Sequence, residues 1–336
     1  MSPVDGGRVV VGLPPPPSFL FTCKQLEESP SRRDGVDAAT EALMRRNYSD
    51  LLQKAGEGLQ IPQPTIATAV LFCHRYFAAK SMKRNDRFVV ATACLLLACK
   101  VEECQRRVQK VLEMCYSVRY KMDLNDVKSA FQDNTKVYQM LKENVLVAER
   151  ALLYTLGFNF RIEKPYQHIT ARALKFKGVP QEAVRFLTQI AWNFVNDSLQ
   201  TTLLLQHQPK YIAYSAIYLA AKFIDIQLPN EDGRPWYEND AIPTHAIQDI
   251  TRKMLEYCEN CAAIAQSRKT THGTRQSDSA TVPASPVIGQ KRDAGSVGVG
   301  QDYQRVQATT MDWQDGRKMA RTYSTPDVDM EIEAEG

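Results

Sequence analysis

Phe88–Glu103 reads FVVATACLLLACKVEE, and this stretch decides the fold. From Phe88 to Val101 it carries one charge, Lys100, and its apolar residues run all the way round a helix rather than down one face. A helix that is hydrophobic on every side has to be buried on every side. At 14 residues it is too short to span a bilayer, so it reads as the central helix of an α-bundle. Ala91, Ala93 and Ala98 would let neighbouring helices approach closely. Charge returns abruptly at Lys100-Val101-Glu102-Glu103, which puts Lys100 at the mouth of the core.

The segments around this helix are also helical. Ala38 to Ala55 is predicted to place Leu43, Leu51 and Leu52 inward and to stop at Gly56. Thr65 to Lys80 leads into the central helix. Arg106 to Tyr116 carries Val108, Val111 and Leu112, and Asn134 to Leu156, ended by Gly157, is a longer helix with a candidate break near its start. No window alternates as a strand does, so the fold class is all-α. Upstream, Thr22 and Gln25 have capping-box spacing, and Ser29–Gly35 breaks the helix that they open.

The second half repeats the first. Ala213–Lys222 (AYSAIYLAAK) echoes Ala91–Lys100 (ATACLLLACK), again apolar all round and closed by a lysine. It follows an amphipathic helix, Gln181 to Ser198, with Phe186, Ile190, Phe194 and Val195 at helical spacing, and precedes another, Thr244 to Cys258. The two lysines stand 122 residues apart, too far for a solenoid repeat and right for two similar helical domains in tandem. The domains expected are a disordered Pro/Gly-rich N-terminus (1–18), a helical lead-in (19–36), a first box (37–160), a second box (161–263) and a disordered tail (264–336). The tail holds few large apolar residues, too few to offset the entropy of ordering it.

Composition is that of an ordinary globular chain: 44% hydrophobic, 24% charged, net charge +4 over 336 residues. So small an excess of base argues neither for nor against nucleic acid. There is no run of 18 apolar residues and no signal-peptide pattern, so the chain is expected to be soluble and intracellular, away from membranes. Several of its eight cysteines lie in apolar helical runs, where a thiol behaves as a small hydrophobe. Cys258-x-x-Cys261 lacks the second ligand pair of a structural zinc site, so no metal is expected and reduced thiols are the reading. The sequence has no GxxxxGK[ST], HExxH or GxSxG and no kinase HRD or DFG motif, so neither a catalytic residue nor a cofactor is assigned. His74, on an apolar helix, reads as a satisfied core residue.

Several stretches match the cyclin box. ACLLLACKVEE (Ala93–Glu103) resembles its third helix and AERALLYTLGF (Ala148–Phe158) its fifth. Gln25–Asp37 resembles the lead-in of cyclin T, while Trp192–Leu199, with Lys164-Pro165-Tyr166 before it, is closer to cyclin K and cyclin L. The chain thus resembles a transcriptional cyclin of the T/K group over roughly Phe19 to Tyr257. The resemblance implies two tandem five-helix boxes and a non-enzymatic subunit. Such a subunit forms a heterodimer with a cyclin-dependent kinase of the transcriptional type and activates it. The kinase then phosphorylates the C-terminal repeat domain of RNA polymerase II, promoting elongation in the nucleus.

Carried over by position, the resemblance implies that Lys100 and Glu149 are the charged pair that hydrogen-bonds kinase backbone. Leu97 and Phe158 would be apolar contacts beside them. Met44-Arg45-Arg46-Asn47-Tyr48 keeps only the first two residues of the Met-Arg-Ala-Ile-Leu docking motif, so an apolar substrate groove is not expected. The alternative is a cyclin-like scaffold or general transcription factor that binds DNA or other transcription proteins without activating a kinase. That would need a basic stripe, for which Lys80, Lys83, Arg84, Arg87, Arg106, Arg107 and Lys110 are the candidates. A solvated surface is the preferred reading of them, so direct nucleic-acid binding is not expected. In the tail, Ser285, Ser324 and Thr325 have the sequence context of phosphorylation sites.

Overall fold

The structure, a computed structural model, describes residues 20–230 and 233–272, the last eleven of them as backbone alone. The expected N-terminal and C-terminal tails therefore fall mostly outside the described residues. Those residues are helical and contain no β-strand, and they fall into two units that divide at Glu163 and Lys164, with Leu204–Gln208 grouping with the first.

The first unit opens on two single-turn helices, α1 (Cys23–Glu27) and α2 (Pro30–Arg33). The Thr22–Gln25 capping box is formed. Ser29-Pro30 does more than break the chain, since Ser29 caps α2 through the Arg32 N–H and Pro30 takes its first position. Six longer helices follow: α3 (Ala38–Gly58), α4 (Gln63–Ala79), α5 (Arg87–Val101), α6 (Val108–Tyr120), α7 (Leu124–Asp133) and α8 (Thr135–Leu156). Asp37, Asp86, Asp123 and Asn134 cap α3, α5, α7 and α8 with side-chain oxygens. The helix α7 was not anticipated. The break expected near the start of the long helix is absent: α8 runs unbroken from Thr135, and the interruption at Asn134 instead separates it from α7, a short helix between the fourth and fifth of the box.

The central helix α5 is buried from Val90 to Cys99, with Ala91, Ala93 and Ala98 at zero exposure. It is enclosed by α3, α4, α6 and α8. Beside it Tyr48 stacks on Phe77 and its hydroxyl pairs with Nδ1 of His74, both residues fully enclosed, so His74 is a satisfied core histidine. The lead-in is sewn to the loop before α5: Ser31 Oγ accepts from the Met82 N–H at 3.0 Å, and Arg84 pairs with Asp34. Phe21 N–H donates to the Leu205 carbonyl at 2.7 Å.

Gly56 does not stop α3, which runs on to Gly58. It is buried, and a Cβ there would lie 2.5 Å from Cδ1 and Cγ1 of Ile66, itself enclosed on α4. The glycine leaves the space on α3 that the Ile66 side chain of α4 fills. Gly56→Val should therefore destabilise the unit by about 1–3 kcal/mol through overpacking, despite the better helix former. Urea denaturation reads this directly, and an unchanged midpoint would refute the close approach.

The second unit comprises α9 (Pro165–Ala173), α10 (Gln181–Ser198), α12 (Pro209–Phe223), a 3-10 turn (Glu238–Asp240) and α13 (Thr244–His272), while the short α11 (Leu203–Gln206) has all but its first residue in the first unit. Its central helix is α12, buried at nine positions between Ile212 and Ala221, against which α9, α10 and α13 pack. On α10 the innermost residue of the first turns is Leu187, and Phe186 is only half-buried. The last helix continues past Cys258, its expected end, so residues 264–272 are helical and not part of a disordered tail.

Arg172 locks the loop before α13. Its Nη2 donates to the Trp236 carbonyl at 3.1 Å, and its guanidinium lies over the Phe176 and Trp236 rings. Tyr214 and Lys210 hold Asp240 beside it, at 2.6 Å to a carboxyl oxygen and 2.8 Å to the carbonyl.

Burial pushes the Asp197 carboxyl, near the end of α10, up to about 7 from 3.8. A carboxyl whose folded value is raised holds its proton longer in the native state. Its contribution to stability is complete below pH ~4 and is lost as pH rises through about 7. Asp197→Asn should accordingly leave the second unit more stable than the parent at pH 8 and flatten its pH profile between 5 and 8. Asp197 keeps partial exposure, which reduces the effect below that of a sealed carboxyl. Identical profiles for the two proteins would refute the assignment.

Candidate functional site

Two helix ends build the site. Helix α5 stops in a Schellman motif: Glu103 takes a left-handed conformation (φ 55°), and the Cys104 N–H donates to the Cys99 carbonyl at 3.0 Å. Helix α8 stops in the same way, with Gly157 at φ 57° and the Phe158 N–H donating to the Leu153 carbonyl at 3.2 Å. Phe158 is itself left-handed (φ 56°), a conformation that costs a bulky residue energy and needs surrounding contacts to persist.

The structure joins two of the four residues singled out in the sequence. Lys100 Nζ donates to Glu149 Oε1 at 2.7 Å, bridging α5 and α8. The lysine side chain is 52% exposed and the glutamate 10%. One ammonium hydrogen is spent on this bond and two remain for an external acceptor, while the second carboxylate oxygen can accept from an N–H. Open water around Lys100 limits such a pair to about 0–1 kcal/mol of stability.

Phe158 stands 60% exposed beyond the end of α8. Its ring meets Tyr154 and Phe160 edge-on at 6.2 and 6.1 Å, and Phe160 meets Phe72 in the core. Leu97 is different. At 5% exposure it is packed inside the box, one turn beneath Lys100, so it underlies the rim rather than presenting an apolar surface.

Sequence reasoning missed Tyr154, which is 79% exposed and in contact with Phe158. It also missed Val147 and Met140, exposed on the same helix at seven-residue intervals before it. That spacing was the available signal, since residues seven apart share a face of a helix. Tyr48, the last residue of the stretch compared with the docking motif, turns into the core.

Four of the seven basic candidates are engaged within the protein itself. Arg106 is spent on backbone, donating to the carbonyls of Leu59, Gln60, Cys104 and Gln105. Arg84 pairs with Asp34, Lys83 donates to the Asp34 carbonyl, and Arg87 lies over the Phe88 ring. Among the described residues no helix is long and apolar enough to cross a membrane, and no three His, Cys, Asp or Glu are grouped to hold a metal ion. Ser285, Ser324 and Thr325 lie outside the described residues.

The described residues thus form two all-helical units, each wound on a buried helix, with a charged pair and exposed aromatics on the rim of the first. The family description "Cyclin, N-terminal domain" matches residues 19–161. Cyclin-T1-3 of Arabidopsis thaliana is 33% identical over 242 residues, covering 72% of this chain and 74% of that protein. The chain belongs to the cyclin family, within its T/K group. Cyclin-T1-3 of Oryza sativa subsp. japonica is 42% identical over 243 residues, covering 72% of this chain and 48% of its own length. The chain spans about half the length of this and two other curated relatives, Cyclin-T1-4 and Cyclin-T1-5 of Arabidopsis thaliana. A chain of the yeast RNA Pol II CTD kinase CTDK-1 complex shares the fold, with a TM-score of 0.57 at 18% identity over 71% of this chain and 72% of that one.

Proposed function

We propose that the protein is the regulatory subunit of a cyclin-dependent kinase that phosphorylates the C-terminal repeat domain of RNA polymerase II. It would act in the nucleus to promote elongation and would carry no catalytic activity itself. The observation that carries this reading is the Lys100–Glu149 pair. It is held on a preformed rim between two helix ends, half open to solvent and flanked by the exposed rings of Tyr154 and Phe158. Membership of the cyclin T/K group supports the reading, as does the shared fold with a chain of a polymerase-tail kinase complex.

In mechanism, the rim packs on the mobile regulatory helix of the kinase. The lysine donates to, and the glutamate accepts from, backbone groups beside that helix. This stabilises the arrangement in which the kinase's own catalytic Lys–Glu pair forms, and the activation is a population shift. The effect is only as large as the difference in the cyclin's affinity for the two kinase states.

Capture of the chain's partners from nuclear extract, with kinase activity assayed on a polymerase-tail peptide, tests the proposal. Retention of a cyclin-dependent kinase that phosphorylates the peptide is the expected result. A preparation that retains DNA with a steep salt dependence and no kinase would favour the scaffold reading.

A further inference from the structure

We propose that Cys99 and Cys104 form a peroxide-sensitive thiol pair that closes to a disulfide across the end of α5. The Schellman motif creates the pair. Such a stop brings the side chain three residues before the cap against the one two residues after it, usually two apolar groups in contact. Here those positions are Cys99 and Cys104, whose main chains are joined by the outer hydrogen bond of the motif. The backbone bond between the same two residues, 3.0 Å long, keeps their Cα atoms within the ~4.4–6.8 Å that a disulfide spans.

The two sulfurs have different surroundings. Cys99 is 1% exposed, and burial, with the Cys104 sulfur second, pushes its thiol up to about 12. Cys104 is partly open to solvent, and its thiol rests on Thr65 Oγ1 at 3.7 Å. The adjoining loop is held in place by Arg106, which donates to the carbonyls of Leu59, Gln60 and Gln105 and to that of Cys104 itself at 3.2 Å. The exposed sulfur is the one to be oxidised and the buried one the one to resolve it.

With hydrogen peroxide as oxidant the chemistry balances. The Cys104 thiolate attacks one peroxide oxygen, the O–O bond breaks, and hydroxide leaves, giving a sulfenic acid. The Cys99 sulfur then attacks that sulfur, the S–S bond forms and the S–O bond breaks. Its proton leaves with the hydroxyl as water. Overall two thiols and one peroxide give one disulfide and two waters. Any dithiol reductant reverses the closure by exchange.

Lys100 lies inside the ring, which gives the test its readout. The full chain is treated with dilute hydrogen peroxide while folded, blocked with an alkylating reagent, and then denatured and digested with trypsin. The reduced protein releases Val101–Arg106 (VEECQR) as a free peptide. The oxidised protein should lose that peptide and yield it tied to Phe88–Lys100, with free VEECQR restored by dithiothreitol. Cys94 shares the larger peptide but is engaged with Cys73 in the core, so Cys94→Ala should keep the link. Cys99→Ala and Cys99→Ser should abolish it and leave Cys104 open to dimedone, a sulfenic-acid reagent. Emergence of VEECQR free, overoxidised to sulfinate, or tied to the peptide of Cys23 or Cys115 would overturn the proposal.

Discussion

Lys100→Glu combined with Glu149→Lys is expected to weaken capture of the kinase at least ~100-fold, the loss of a binding hot spot, while the melting temperature stays close to that of the parent. The exchange keeps one anion facing one cation across the α5–α8 junction, so the internal bond can re-form with reversed polarity. What it destroys is the pattern presented outward, an ammonium where a partner carbonyl would be met and a carboxylate where an N–H would be met. Glu149→Lys alone should behave differently. It leaves two cations facing each other at a position where the glutamate was 10% exposed, and the fold itself should soften. The double-mutant cycle therefore separates contact from stability. A charge-swapped protein that captures kinase as well as the parent would remove the pair from the interface.

Leu96→Ala should cost the first unit about 2–5 kcal/mol. The side chain is 2% exposed on a helix enclosed by four others, so the void cannot be filled from solvent. Against a domain stability of ~5–15 kcal/mol this removes a large share of the margin. Thermal or urea denaturation checks it, and melting like the parent would contradict the burial of α5. Leu97→Ala should also be destabilising, because that residue is equally buried. A loss of kinase binding in that variant is thus to be read only after its folding has been measured.

The fold was legible because its strongest signal is crude. A helix that is apolar on all sides can be placed only in a core, and two such helices imply two cores. Lys100 and Glu149 were legible through resemblance, and spacing alone would not have paired residues 49 apart. What escaped depends on approach between segments. Gly56 looks like a helix stop in one dimension and is the seat of the Ile66 side chain in three. Arg106 looks like part of a basic surface, but its donors are consumed by carbonyls that no local pattern marks. Leu97 repeats at the right interval below Lys100, yet the packing of neighbours encloses it. Helix α7 was missed because the polar stretch around it hides two inward residues, Val127 and Phe131.

The matched stops of α5 and α8 bear on how fast and how firmly a partner can be held. Each helix ends with its last carbonyls already accepting from its own chain, and the left-handed residues that follow fix where Glu103 and Phe158 leave the axis. A surface finished in this way has little left to order when something docks on it. Association should then resemble the meeting of rigid bodies, with little entropy lost on the cyclin side. Differences in affinity among rim variants would appear chiefly as differences in residence time, the encounter rate staying nearly constant.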